Sequence, residues 1–414
     1  MTKPYQIYVT GTANYFPHLI VLIKSFVAFH RHSMTFIIGH NIKDPNDPAI
    51  LEVKETFKDY PNVQLDFHYI DPQLFIDWGV VPDVAKEAVL LRLALPTLPY
   101  NGRVLYIDID TLVTGPLDEL FTDENIFQGK SIAVCADLTD YFDKFSPKGF
   151  YRQEKFPSKF YTLPFGEKGN VFFNAGVMLI DLEKIRISPD KDKNLWQYHC
   201  AEIFNEGRFA GLDQTFLNIV HFYDKTIISN KYNFFVFLLN ETRHVLDIAG
   251  WKNYPQSLAE GKVEAPMYPS VIHFLTLSPK KQWDSYLIDH QDLYNFYKEQ
   301  SVEQIIDEDV DYYFQMMINY YDHYGYTPGL IDFGKYDKYL YNYSVEQVSK
   351  AVGLFSKPWS FSPLLLSTTI YKLRGLRKLL NRYRLNHRGN IKGAIKHSNK
   401  VFVPFKDLAK RTKK

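Results

Sequence analysis

A chain of 414 residues with 46% hydrophobic and 23% charged side chains can bury a large core and is too apolar to remain disordered. Its formal net charge of +1 conceals an asymmetry, because Tyr371 to Lys414 holds fifteen Lys and Arg against one acid, Asp407, leaving the tail at about +14 and the rest at about −13. A uniformly basic nucleic-acid binder does not fit that division, whereas an acidic catalytic body carrying a basic anchor does. No apolar run approaches the ~20 residues needed to span a bilayer, and Met1 to Tyr8 lacks a signal-peptide pattern. Two cysteines, Cys135 and Cys200, are too few for a disulfide framework or a zinc cluster. The expectation is a cytoplasmic protein.

In the first third, strand-length apolar runs alternate with segments of helical period, the pattern of an α/β sheet with crossover helices. Gln6 to Thr10 reads as a strand. Phe16 to Phe29 reads as a helix, with Leu19, Leu22, Ile23 and Phe26 at helical spacing. Strands are predicted at Thr35 to Gly39 and Gln64 to Tyr69, around a helix at Ala49 to Phe57. Val84, Ala88, Leu91 and Leu95 mark a further helix that Pro96 should end, and Arg103 to Asp108 is the next strand. Beyond it, strands are expected at Ser131 to Cys135, Val171 to Ile180 and Ser270 to Phe274, with helices near Leu195 to Glu206 and Leu212 to Val220. The connection Thr139 to Lys168 is long enough to be functional or mobile. From about Ser301 the chain becomes acidic and then rich in Tyr, so three regions are assigned: residues 1–300, 301–365 and 366–414.

The string Arg103-Val104-Leu105-Tyr106-Ile107-Asp108-Ile109-Asp110 ends an apolar strand in two carboxylates one residue apart. A bend there can turn both towards one hard cation, in the crevice where α/β folds bind ligands. Most Asp-x-Asp pairs are solvated turn residues, so this string needs its context. Further on come Phe172-Phe173-Asn174-Ala175-Gly176, then Gly211-Leu212-Asp213-Gln214, then Val271-Ile272-His273-Phe274. Small residues such as Ala175 and Gly176 let a ligand approach the backbone.

The four segments, in that order, resemble the glycosyltransferases of family 8, retaining enzymes that include bacterial lipopolysaccharide galactosyl- and glucosyltransferases and the glycogenins. The resemblance runs from about Tyr5 to Trp283. It implies a GT-A type α/β fold, a nucleotide-sugar-binding mixed sheet flanked by helices, with a mainly helical C-terminal extension. It implies that Asp108, Asp110 and His273 ligate Mn²⁺, with Mg²⁺ as the alternative ion. Arg92 would face the donor; Asn174, Ala175 and Gly176 would line the donor sugar. Asp213 would hydrogen-bond sugar hydroxyls and Gln214 would lie beneath the anomeric carbon, making Asn174, Asp213 and Gln214 the catalytic candidates. Asn14 and Tyr15 match the nucleotide-binding Asn-Tyr pair, with Tyr15 as the uracil-stacking ring. The acid that usually precedes this pair is replaced, so the uracil contact is either lost or made by Thr12. The family's Lys-Pro-Trp loop is altered: counting back from Trp283 selects Lys281 as the phosphate ligand, and counting forward from His273 selects Lys280.

The implied donor is UDP-glucose or UDP-galactose, and the implied acceptor is a hydroxyl of a glycan or glycolipid. Two rivals stand beside this reading: a glycogenin-like protein that glucosylates one of its own tyrosines, and an inactive membrane-associated scaffold. In the tail, Leu366, Ile370, Leu373, Leu376, Leu380 and Tyr383 fall on one helical stripe, surrounded by Lys372, Arg374, Arg377, Lys378, Arg382 and Arg384. Such a pattern reads as an interfacial helix for an anionic membrane surface, placing the protein on the cytoplasmic face. The same stripe could instead pack on the body. No nucleic-acid partner is expected, since the tail lacks a base-reading motif.

Overall fold

The computed structural model describes residues 4–137, 172–204, 212–236, 268–274 and 291–323. In chain order the principal elements are β1 (Tyr5–Gly11), α1 (Phe16–Phe29), β2 (Met34–His40), α2 (Pro48–Phe57), β3 (Val63–Tyr69), β4 (Arg103–Ile107), β5 (Thr111–Val113), β6 (Ile132–Ala136), β7 (Phe173–Asp181), α3 (Leu195–Phe204), α4 (Leu212–Val220), β8 (Lys225–Ile228), β9 (Phe234–Phe235), β10 (Val271–His273), α5 (Gln291–Glu299), α6 (Val302–Ile306) and α7 (Val310–His323). Seven strands form one mixed sheet in the order β3-β2-β1-β4-β7-β6-β8, and β5-β10-β9 form a second, small sheet.

Strand periodicity divides the interior in two. In β1, Ile7 and Val9 face one apolar cluster while Tyr8 faces the other; in β4, Leu105 and Ile107 oppose Val104 and Tyr106 in the same way. Both faces are thus covered, giving the three-layer α/β arrangement. Burial on both faces is also why β2 carries a continuous apolar run, Phe36-Ile37-Ile38, with all seven of its residues buried. One layer contains α1, α2 and α5 to α7; the other contains α3, α4 and a 3₁₀ segment over Ala88–Thr97.

Two departures from the sequence pattern occur near Arg92. The predicted helix is a short turn, Pro82–Ala85, followed by ten residues of 3₁₀ helix that carry Pro96 inside them. Every residue from Leu90 to Pro96 is buried, so the segment has no solvent face of the kind that an amphipathic α-helix presents. Tyr8 Oη also donates to the Leu91 carbonyl at 2.7 Å.

α1 is buried nearly all round, from Leu19 to Phe29. The sheet covers one side. The other meets α5 and α6: Lys24 Nζ donates to the Gln300 carbonyl at 2.5 Å, and Arg31 donates to the carbonyls of Ile305 at 3.2 Å and Glu308 at 2.8 Å. A capping box between Ser301 and Gln304 starts α6. The apolar core therefore runs on past residue 300 into α7, through Val302, Ile305, Tyr313, Met316 and Tyr320. Among the described residues, no helix is long and apolar enough to cross a membrane.

Topology also places a crevice. β1 pairs with β2 on one side and with β4 on the other, all parallel. The chain therefore reverses its direction of travel across the sheet between β1 and β4, and ligands of open α/β sheets bind beyond the carboxyl ends of the strands at such a reversal. The segments following β1 and β4 carry Thr12, Asn14 and Tyr15 on one side and Asp108 and Asp110 on the other.

Candidate active site and metal centre

β4 stops at Ile107, and Asp108 to Asp110 form the turn into β5. That turn lifts the chain out of the large sheet into the small one, where β5 pairs antiparallel with β10 and Thr111 lies opposite His273. Strand pairing thus brings an imidazole from 163 positions along the chain to the two carboxylates. Phe274 N donates to the Asp110 carbonyl at 2.9 Å and Thr111 Oγ1 to the Asp108 carbonyl at 2.7 Å, fixing the turn. His273 Nε2 lies 3.2 Å from Asp110 Oδ1 and 3.9 Å from Asp108 Oδ2. One ligand atom from each of the three residues falls within 4.8 Å of the others.

The two oxygens of Asp108 have separate work. Oδ1 accepts from Arg92 at 3.0 Å and from Tyr106 Oη at 2.6 Å, while Oδ2 is the atom on the His273 side. Arg92 is buried, spans from Asp108 to Asp213, whose Oδ2 is 2.8 Å from Nε, and donates to the Ala175 carbonyl at 2.8 Å. Its guanidinium also lies over the Tyr106 ring at 4.7 Å. Burial opposes the Arg92 charge, yet the Asp108 and Asp213 carboxylates outweigh it and hold its pKa above the usual range. Burial pushes the Asp213 carboxyl up to about 6, although Arg92 pulls the other way.

Behind the carboxylates, side-chain amides form a connected row. Gln214 Nε2 donates to Asp137 Oδ2 at 3.1 Å, Asn174 Nδ2 to Gln214 Oε1 at 3.1 Å, and Asn233 Nδ2 to Asn174 Oδ1 at 2.9 Å. Asn233 Oδ1 meets His273 Nδ1 at 2.9 Å. Backbone donors join in: Ala175 N to Gln214 Oε1 at 3.1 Å and Gly176 N to Asn174 Oδ1 at 2.9 Å. Asn218 holds the next layer, exchanging hydrogen bonds with the Phe173 backbone N–H and carbonyl, each at 2.9 Å. The irregular start of β7 is thus pinned by α4.

Of the sequence candidates, Arg92, Asp108, Asp110, Asn174, Ala175, Asp213, Gln214 and His273 form one connected cluster. Gly176 belongs to it through its missing side chain: a Cβ there would come within 2.3 Å of His273 Cε1. Thr12, Asn14 and Tyr15 lie in the 3₁₀ turn after β1, with Thr12 Oγ1 bonded to Asn14 Oδ1 and Asn14 exposed. Gly11 admits the Ile109 side chain from between the two acids, since a Cβ would lie 2.7 Å from Ile109 Cδ1. Lys280, Lys281, the Thr139 to Lys168 connection and the basic tail lie outside the described residues.

Sequence reasoning missed Asp137 and Asn233. Asp137 follows the last residue of β6 as a polar residue after an apolar run, and Asn233 precedes Phe234-Phe235-Val236. A polar residue at the edge of a buried run was the only signal.

This fold and cluster define a GT-A type glycosyltransferase. The sequence model of Glycosyl transferase family 8 matches residues 6–286, and the chain belongs to that family. Among solved structures, it is similar to the galactosyltransferase LgtC in complex with donor and acceptor sugar analogs, at a TM-score of 0.51 and 19% identity, covering 71% of this chain and 95% of that one. The bifunctional glycosyltransferase WbbM, in its apo structure, gives 0.52 and 20% identity, covering 75% of this chain and 52% of that one. At these identities the likeness speaks to the fold. No curated protein sequence matches the chain.

Proposed function

We propose that this glycosyltransferase moves a hexose from UDP-glucose or UDP-galactose to a hydroxyl of a glycan or lipid-linked acceptor, with retention at the anomeric carbon and dependence on Mn²⁺. The observation that carries the metal part is the meeting of Asp108 and Asp110, on the turn from β4 into β5, with His273, the last residue of β10 in the small sheet. Two carboxylates and one imidazole form a donor set that suits Mn²⁺. When bound, the ion supplies Lewis-acid neutralisation of the charge on a departing diphosphate. The chain's own part is orientation: Arg92 and Tyr106 hold one oxygen of Asp108 so that the other is presented.

The residue assigned beneath the sugar, Gln214, is a carboxamide whose oxygen and nitrogen are both engaged. A carboxylate nucleophile of the kind that retaining glycosidases use is absent from that position, which favours front-face transfer through an oxocarbenium-like transition state. Asp213 and Asn174 act on the donor sugar in this reading; LgtC, crystallised with donor and acceptor sugar analogs, is consistent with a sugar-nucleotide donor.

The rivals are less well supported. Within α7, Tyr313, Tyr320 and Tyr321 are buried, which makes these three poor internal acceptors, while the tyrosines of residues 324–343 lie outside the described residues; the complete acidic and amide cluster argues against a decayed scaffold. We also propose that the basic tail attaches the enzyme to an anionic membrane on the cytoplasmic face, where each basic residue contributes about 1 kcal/mol.

The test is a screen of nucleotide sugars for Mn²⁺-stimulated donor hydrolysis, which needs no acceptor. Activity should appear with a UDP-hexose and vanish with chelator and with Asp110→Ala. Full turnover of Asp110→Ala in chelator would sink the metal reading, and a mass gain of one or more hexoses on the protein itself would replace the external acceptor with an internal one.

A further inference from the structure

The row of amides behind the metal cluster has a direction, and the backbone sets it. Ala175 N–H and Gly176 N–H cannot be exchanged for acceptors, so the atoms facing them must be the oxygens of Gln214 and Asn174. Asn174 Oδ1 therefore faces Asn233 as an acceptor, and Asn233 must answer with its NH₂ at 2.9 Å. What remains of the Asn233 carboxamide is its oxygen, and that oxygen lies 2.9 Å from His273 Nδ1. At the far end the row closes on Asp137, where the Gln214 NH₂ finds a carboxylate at 3.1 Å. All four side chains in the row but Gln214 are buried to 5% exposure or less, as is His273. A reversed amide would leave two oxygens or two NH₂ groups face to face in a buried site, where an unmet polar group is costly.

We infer that Asn233 is a positioning residue that forces the proton of His273 onto Nδ1 and thereby keeps the Nε2 lone pair on the side of Asp108 and Asp110. Metal-binding histidines generally have their second nitrogen fixed in this way, which sets both tautomer and ring orientation. Here the fixing group is an amide whose own orientation is dictated two residues away by the backbone of β7. Gly176 serves the same arrangement, since its lack of a Cβ is what lets the imidazole reach Asn233. Without Asn233, the proton is free to move to Nε2 and bond Asp110 Oδ1, now 3.2 Å away, which closes the third ligand position. The use made of the lone pair rests on the metal reading proposed above; the location of the proton does not.

The experiment takes the full-length protein labelled with ¹⁵N-histidine and reads the His273 ring nitrogens by long-range ¹H–¹⁵N correlation without metal, assigning them by their loss in His273→Gln. Nδ1 should carry a proton in the wild type. In Asn233→Ala, Nδ1 should lose it while Nε2 holds it, and affinity for Mn²⁺ alone, read from the EPR signal of free Mn²⁺, should fall about 10- to 100-fold. Asn233→Ser, shorter but still an acceptor, keeps the ring measurement available if the alanine variant fails to fold, and should recover part of the affinity. An unprotonated Nδ1 in the wild type would overturn the inference by itself, as would a folded Asn233→Ala that keeps the proton on Nδ1. If the wild-type ring carries the predicted proton yet Mn²⁺ does not bind, the failure belongs to the metal reading and not to the role of Asn233.

Discussion

At the scale of single residues, this site is governed by how little room surrounds His273. A methyl group at position 176 would fall 2.3 Å from His273 Cε1, 2.8 Å from Nδ1 and 2.9 Å from Asn174 Oδ1, and none of these belongs to a flexible chain end. Gly176→Ala should destabilise the fold by about 1–3 kcal/mol, the usual range for overpacking, and should weaken Mn²⁺ binding by displacing the ring; thermal melts and metal titration check the two effects separately. Asp213 supplies a different test. Burial raises its carboxyl from 3.8 to about 6, so the folded chain holds a proton that the unfolded chain has released. The stability this contributes is complete below 3.8 and is lost as pH rises through about 6. Replacing the carboxyl by an amide removes that slope. The melting temperature of metal-free Asp213→Asn, relative to wild type, should therefore improve between pH 4 and 6.5, and a constant difference would show that Asp213 does not titrate there.

At the scale of elements, the small sheet is what the site depends on, and it is also what the sequence hid. The Asp-x-Asp pair was legible because an apolar run ended in it, and β1, β2, β3, β4 and α1 were legible because both their apolar runs and their breaks are local. β5 and β9 were not: three residues and two residues are too short to show alternation, and their pairing with β10 is decided by contacts across the fold. Asn233 was hidden for a related reason, since its role exists only once β9 and β10 lie side by side. The same contacts extend to α7. Tyr321 Oη donates to Thr114 Oγ1 at 2.9 Å and approaches the Pro269 carbonyl at 3.3 Å, while Thr114 Oγ1 itself donates to Pro269 at 2.8 Å. Thr114 follows β5 and Pro269 precedes β10, so one tyrosine clamps together the strand that follows the Asp108–Asp110 turn and the strand that ends in His273. Tyr321→Phe leaves a buried acceptor short of a donor and should destabilise by about 1–2 kcal/mol, with the loss of protection in hydrogen exchange concentrated at β5 and β10. Uniform loss across the large sheet would mean that α7 supports the fold generally and not the small sheet in particular.

At the scale of the whole molecule, charge divides the chain into two unequal parts. The last 44 residues carry about +14 and the preceding 370 about −13, so the body and an anionic bilayer repel each other while the tail is attracted. Fifteen cations at about 1 kcal/mol each would exceed what reversible attachment needs even if most were too far from the surface to count, because the attraction decays over about 8 Å at physiological ionic strength. Apolar residues among those charges would add a term that salt does not screen. Two arms separate the contributions. Vesicles with anionic headgroups should sediment the full chain at low salt, neutral vesicles should not, and a chain ending at residue 365 should stay in the supernatant with both while its hydrolysis of the soluble nucleotide sugar is unchanged. Raising the salt to about 1 M, where the Debye length shrinks to about 3 Å, should release most of the bound protein, and whatever remains measures the apolar stripe. Were the shortened chain to bind as well as the intact one, attachment would have to come from the acidic body. Were it instead to lose hydrolysis in solution, the stripe would be packed on the enzyme and the tail would be part of its structure.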